Sequence, residues 1–297
     1  MKSPFSHIVV PVDGSAPSDR GVRFAIELLA PGGTITFCSA YDITAACLPA
    51  AQGAAIDPGP MIEALEENAE LFCGSAVAVA RAAGVRATSE VLQGGAGPAI
   101  AAFAERIGAD AIVVGTHGRT GLARAMLGSI AEGFLRGADV PVIVVHDDDA
   151  VEDGPIAVAV DGSPPSRYAV DVALALARAS HAELAFIHVS EALFPGEKAP
   201  GLDDAAERAR AEGIAFTEIA REGAAAAAEI IAAAGALRCS AIVTGTHGRA
   251  AVPRFFLGSV ANALVEQARV PVVAVRTPLR SAAPSTAAEA PVPAAAP

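Results

Sequence analysis

Short continuous apolar runs alternate along the chain with longer segments whose apolar residues recur every three to four positions. The first run, about His7–Val12, ends in Asp13-Gly14-Ser15. Such a run fits a strand buried on both faces. Ser15 can cap a helix over about Ala16–Leu29, with Val22, Ala25, Ile26 and Leu29 on one face. Pro31-Gly32-Gly33 stops that helix, and a second strand follows over about Thr34–Ala40. A loop with Pro49, Pro58 and Pro60 leads to a helix over Met61–Ala83 and a third strand, Arg86–Gln93. A helix from near Pro98 to Gly108 precedes a fourth strand, Ala111–Thr116. A Gly-containing loop, a helix over about Ser129–Gly137 and a fifth strand, Val140–Val145, complete the series.

The series then recurs. Ile8-Val9-Val10-Pro11-Val12-Asp13-Gly14-Ser15 returns as Ile156-Ala157-Val158-Ala159-Val160-Asp161-Gly162-Ser163. Ala111-Ile112-Val113-Val114-Gly115-Thr116-His117-Gly118-Arg119 returns as Ala241-Ile242-Val243-Thr244-Gly245-Thr246-His247-Gly248-Arg249, and Val140-Pro141-Val142 returns as Val270-Pro271-Val272. The first element repeats at an offset of 148 residues and the other two at 130. A period this long marks a duplicated domain rather than a solenoid. The second copy predicts strands at about Ile156–Val160, Glu183–Val189, Ala215–Arg221, Ala241–Thr246 and Val270–Val275. Its second helix, about Leu202–Gly213, is shorter, which accounts for most of the lost length. The expected fold is α/β: two tandem doubly wound domains, each a five-stranded parallel sheet of order 3-2-1-4-5 with helices on both faces. The expected boundaries are residues 1–146 and 156–276, an acidic linker over 147–155, and a disordered Ala/Pro tail over 277–297.

Composition narrows the classes. Of 297 residues, 53% are hydrophobic and 18% charged, which excludes a chain disordered throughout. Alanine inflates that apolar fraction, and no apolar stretch reaches the ~18–20 residues of a membrane span. The start of the chain lacks a signal-peptide layout. The net charge is −12 and the only lysines are Lys2 and Lys198, so a basic patch for nucleic acid is not expected. Cys38, Cys47, Cys73 and Cys239 show no metal-binding spacing, and a reducing cytoplasm fits them. The default reading of Cys38, Cys47 and Cys73 is as buried small residues.

The strongest chemical signal follows strand four. Gly115 and Gly118 are followed by nine residues and Gly128-Ser129; Gly245 and Gly248 are followed by nine residues and Gly258-Ser259. This G-x2-G-x9-G-[ST] spacing is kept although Thr120-Gly121-Leu122-Ala123 has become Ala250-Ala251-Val252-Pro253. Gly118 and Gly248 let backbone approach a ligand, and Gly128-Ser129 opens a helix whose free N–H groups favour an anion. Arg119, Arg124, Arg249 and Arg254 stand at matching places as counter-charges for phosphates. The competing reading of Gly-Ser alone is a helix cap. Asp13 and Asp161 end strand one, next to strand four at the switch point of such a sheet. Each either accepts from ribose hydroxyls or an amine, or only holds an Asp-Gly-Ser turn. His117 and His247 are either general bases beside a phosphate or loop-structural residues. His188 reads as a packed or hydrogen-bonded residue.

Taken together, these residues resemble the universal stress protein family, in its tandem-domain form, over about residues 5–146 and 155–276. The resemblance implies ATP in both copies, accompanied by Mg2+. Asp13 and Asp161 would contact the nucleoside, and backbone near Ala40 and Val189 would border adenine. Gly115, Gly118, Gly128, Ser129 and Ile130 would surround ribose and phosphates, as would Gly245, Gly248, Gly258, Ser259 and Val260. Arg119 and Arg249 complete the expected nucleotide-binding set. Ala159 in place of Pro11 and a shorter loop after strand two set the second copy apart. No Walker-type G-x4-GK-[ST] is present, so rapid hydrolysis is not expected. The resemblance also implies pairing through the fifth strands, internally between the two halves or in a homodimer.

The leading expectation is an ATP-binding protein with a regulatory or stress-protective role, without nucleic-acid or membrane partners. One alternative is a slow ATPase or autophosphorylating enzyme using Ser129, Ser259, His117 or His247. Another is an interaction module that needs no nucleotide. No G-x-G-x-x-G follows either first strand, so a dinucleotide-binding domain is a poor fit.

Overall fold

A computed structural model describes residues 3–44, 47, 57–116, 128–146, 153–190, 201–247 and 257–279. The first half runs β1 (His7–Pro11), α1 (Ala16–Leu28), β2 (Thr34–Tyr41), α2 (Gly59–Ala82), β3 (Arg86–Gln93), α3 (Ala96–Arg106), β4 (Ala111–Gly115), α4 (Ser129–Gly137) and β5 (Val142–Val145). The second half repeats that order as β6 (Ile156–Ala159), α5 (Pro164–Ser180), β7 (Leu184–Ser190), α6 (Leu202–Ala211), β8 (Phe216–Glu222), α7 (Ala226–Ala236), β9 (Ala241–Gly245), α8 (Ser259–Gln267) and β10 (Val272–Val275). The anticipated shortening is seen in the second helix of each half: α2 has 24 residues and α6 has 10.

The ten strands lie in one sheet of order β3-β2-β1-β4-β5-β10-β9-β6-β7-β8. Within each half the pairing is parallel in the anticipated order, and strand pairs are offset by crossover helices. At the centre β5 and β10 pair antiparallel, with Val273 opposite Ile143. The fifth strands begin two residues later than the apolar runs indicate. Pro141 and Pro271 have no N–H for the ladder. Their carbonyls still accept from the amides of Ile112 and Ile242 at 2.9 and 3.0 Å.

Alternate strand residues enter opposite faces, as a sheet covered on both sides requires. Phe37, Val113 and Ile143 share one buried cluster with α1, α2, α5 and α6. Cys38, Ile112 and Val142 share the other with α3, α4, α7 and α8. Each cluster continues across the β5–β10 seam. The outermost strands β3 and β8 carry exposed polar residues, among them Thr88, Ser89, Glu90, Glu218 and Glu222, which blunts an open edge. Among the described residues no helix is long and apolar enough to cross a membrane.

Candidate functional site

Parallel pairing sends the carboxyl ends of β1, β2 and β4 to one edge of the sheet, with β1 in the middle. Ile8 is level with Ala111 and Pro11 with Cys38, so Asp13, Ala40 and Gly115 emerge together at that edge. The chain order reverses between β1 and β4, which opens a crevice there. β6, β7 and β9 bring Asp161, Val189 and Gly245 together in the same way.

The turn after β1 is built by its own side chains. The Ser15 amide donates to Asp13 Oδ1 at 3.0 Å, the Ser18 amide donates to the Ser15 hydroxyl at 3.3 Å, and the Asp13 amide donates to the Ser18 hydroxyl at 3.3 Å. Gly14 supplies the φ of +73° that closes this turn. Asp161, Ser163 and Ser166 repeat the three bonds at 2.9, 3.3 and 3.1 Å. One carboxylate oxygen of each Asp therefore holds the turn, and the adjacent serine caps the next helix. The turn reading of the Asp-Gly-Ser motif is correct as far as it goes, and it fixes each carboxylate at the crevice.

Gly115 and Gly245 have a packing role that spacing did not indicate. A Cβ on Gly115 would lie 2.3 Å from the Pro17 carbonyl oxygen, and one on Gly245 would lie 2.7 Å from the Pro165 carbonyl carbon. The first turn of α1 or α5 thus rests directly on the end of β4 or β9.

Beyond those glycines the loop leaves and returns at one point. The Gly128 amide donates to the Thr116 carbonyl at 2.8 Å, and Gly258 does the same to Thr246 at 2.7 Å. Gly128 and Gly258 are the N-caps of α4 and α8, and neither helix has a side-chain cap bond. The amides of Ser129, Ile130, Ser259 and Val260 therefore belong to first turns with no side-chain acceptor at the cap. Aligned peptide dipoles give those ends a partial positive charge, which suits an anion. His117, Gly118, Arg119, Arg124, Gly248, Arg249 and Arg254 lie outside the described residues.

His247 is tied into its loop. Its carbonyl accepts from the Ser163 hydroxyl at 3.3 Å, and Nδ1 lies 2.9 Å from the Thr246 hydroxyl. Burial, and then the positive charge of Arg276, lower its pKa below the ordinary histidine value. A neutral imidazole at pH 7 lends no charge to a phosphate. His188, buried at the end of β7, lies with Nδ1 2.7 Å from the Val160 carbonyl. A carbonyl has no proton to give, so Nδ1 carries the hydrogen and pins β7 to the last residues before Asp161.

Two further contacts escaped sequence reasoning. The Phe72 ring of α2 packs on Gly14, where an added Cβ would meet it at 2.5 Å. In the second half the backbone of Gly201, with φ +82°, packs on Gly162 instead, at 2.8 Å from a Cβ on Gly201. The sequence signal for the second was Gly201, a glycine just before the shortened helix. The two crevices thus share a floor and differ in the wall over the Asp-Gly turn. Among the described residues no three His, Cys, Asp or Glu side chains are placed to hold a metal ion.

A protein-family model described as "Universal stress protein family" matches residues 4–146 and 154–276. The chain belongs to the universal stress protein family. A universal stress protein of Mycobacterium tuberculosis strain H37Rv is 33% identical over 183 residues, 57% of this chain and 62% of that relative. The match therefore spans less than two thirds of that relative's length. Another from the same strain is 27% identical over 67% of this chain and 68% of its own. Among solved structures, a universal stress protein of Archaeoglobus fulgidus superposes with a TM-score of 0.74, covering 91% of this chain and 98% of its own at 23% identity. At that identity the likeness concerns the fold. A universal stress protein solved in complex with cAMP covers 48% of this chain and 98% of its own, at 25% identity and a TM-score of 0.35.

Proposed function

We propose that this universal stress protein binds ATP, with Mg2+ on its phosphates, in both halves, and uses the nucleotide to stabilise or switch a conformation. The observation that carries the reading is the helix N-terminus without a side-chain cap at Gly128-Ser129-Ile130, facing the edge where Asp13, Ala40 and Gly115 emerge, and repeated at Gly258-Ser259-Val260. Its donor set suits phosphates, each Asp suits ribose hydroxyls or an amine, and the backbone at Ala40 and Val189, near the ends of β2 and β7, suits a base edge. Gly118, Arg119, Gly248 and Arg249 complete the site in this proposal. The pattern of bonds around His247 favours a loop anchor over a general base.

The working units in this reading are residues 1–146 and 156–276, joined by a linker over 147–155 and followed by a tail over 277–297. The two units pair within one chain through β5 and β10 in solution, in the cytoplasm. Light scattering should then give a monomer mass, and a dimer held through these strands would contradict the internal pairing. The nucleotide is tested by denaturing the purified chain, identifying what is released, and titrating ATP calorimetrically. Up to two ATP per chain are expected. No released nucleotide and no binding heat would overturn the proposal.

A further inference from the structure

The residue directly after each domain's last strand crosses to the other domain. His146 follows Val145 at the end of β5, and Arg276 follows Val275 at the end of β10. The two positions are 130 residues apart and so equivalent in the repeat. Arg276 Nη1 donates to the Arg136 carbonyl, in the last turn of α4. His146 Nε2 lies 2.7 Å from the Val265 carbonyl, in the last turn of α8. Nε2 must therefore carry the hydrogen and donate. Both acceptors are among the last four carbonyls of a helix, which have no partner inside it. A donor there also meets the negative end of the helix dipole. Beside Arg276, the Thr277 hydroxyl donates to the Asp139 carbonyl at 2.8 Å.

The same two positions stand at the base of their own domain's loop. The Thr116 amide donates to the Val145 carbonyl at 3.1 Å, and the Thr246 amide to the Val275 carbonyl at 2.9 Å. Arg276 also acts electrostatically on His247, the first residue of the loop after Thr246. One side chain thus meets the loop of the second domain and the tail end of α4. The head of α4 is the candidate anion site of the first domain. α4 has nine residues, a stiff rod of about 13 Å.

We infer that Arg276, and His146 opposite it, are positioning residues that couple the two nucleotide sites of one chain, each by holding the carboxyl end of the other domain's last helix. The coupling rests on the nucleotide reading above; the hold on the helix does not. A ligand that shifts His247 shifts Arg276, and with it the amides of Ser129 and Ile130. Linkage makes the effect reciprocal. Arg276 is a permanent cation, so its bond to α4 is charge-assisted.

The test uses the full chain, with Mg-ATP as probe, and reads each domain separately by hydrogen exchange with mass spectrometry. In Arg276→Met, exchange across residues 129–137 should rise about fivefold, the scale of a lost cation at a helix end. ATP should protect the first-domain site only at about fivefold higher concentration. Arg276→Gln, which keeps an N–H without charge and disturbs folding less, should give an intermediate effect. Thr277→Val removes the neighbouring crossing bond alone and should leave α4 unchanged. Unchanged α4 exchange in Arg276→Met and Arg276→Gln, or an equal rise in Thr277→Val, would overturn the positioning role. If ATP protects neither site of the wild-type chain, the nucleotide reading and the coupling fall together. The α4 response to Arg276→Met then still decides the hold on the helix. If ATP binds and Arg276→Met leaves the first-domain affinity unchanged, the coupling alone falls.

Discussion

At Gly115 an added methyl would lie 2.3 Å from the Pro17 carbonyl oxygen, 2.7 Å from its carbon and 3.0 Å from Pro17 Cβ. Ordinary carbon–oxygen contacts are about 1 Å longer than the first of these. Either the first turn of α1 or the end of β4 must move by that amount. α1 cannot retreat freely, because Ser15 caps it and Asp13 holds Ser15. β4 is hydrogen-bonded on both sides by β1 and β5. Overpacking costs about 1–3 kcal/mol, and a backbone neighbour puts this site at the upper end. For a domain of about 150 residues each kcal/mol lowers the unfolding temperature by about 2–4 °C. Gly115→Ala should therefore cost about 2–3 kcal/mol and roughly 4–12 °C in the first domain. Gly21 is the internal control. It lies in α1 against the same strand, yet its Cβ would find nothing nearer than the Gly115 amide at 3.5 Å. Gly21→Ala should be neutral or stabilise by about 0.5–1 kcal/mol through helix propensity. Calorimetric melts and urea titrations of the full chain read both, with the transition of each half fitted separately. If Gly115→Ala melts with the wild type, or above Gly21→Ala, the packing role is wrong and the glycine serves the loop alone. Gly245→Ala should move the second transition in the same direction.

Three further outcomes follow from the histidines and cysteines. Burial lowers the pKa of His7 against the opposing pull of Asp110, and burial with Arg276 lowers that of His247. The unfolded chain then takes up protons first as pH falls, so their stability contribution is full above about 6.5 and lost progressively below it. Urea midpoints should fall between about pH 7 and 5, and His7→Gln with His247→Asn should flatten that slope; an unchanged slope refutes the assignment. His188→Leu leaves the buried Val160 carbonyl without its donor, which should cost about 1–3 kcal/mol in a urea titration; a neutral result would show that the bond contributes nothing. Burial pushes the thiols of Cys73 and Cys239 up to about 11 and that of Cys38 higher still, so none should react with a disulfide reagent before urea is added. Rapid labelling of any of the three in the native chain would contradict their burial.

The fold was legible because each element announces itself twice. Ile8 and Ile156, Ala111 and Ala241, and Val140 and Val270 begin matching stretches, and doubly wound topology leaves one usual order for five such strands. The edge of the candidate site was legible for the same reason: parallel strands bring Asp13 and Gly115 to one side although the sequence keeps them far apart. What stayed hidden are roles set by a neighbour from a distant segment. Gly115 looks like part of a ligand loop until Pro17 is found against it. Phe72 is one aromatic residue in a long helix until it lies on Gly14. His146 and Arg276 are unlike residues at equivalent positions, so a search for repeated residues passes over them.

That last difference says how duplication has been used here. Gly115 and Gly245 match in the two copies because a Cβ at either would run into the first turn of α1 or α5. The position after the fifth strand asks only for a donor long enough to reach a helix carboxyl end across the seam, and both an imidazole and a guanidinium meet that demand. Chemistry can diverge there without disturbing the fold. A guanidinium on one side and an imidazole on the other make two like domains unequal. In the coupling proposed above linkage is reciprocal, so these unlike contacts set its size, while the order in which the two sites fill would follow from each site's own affinity.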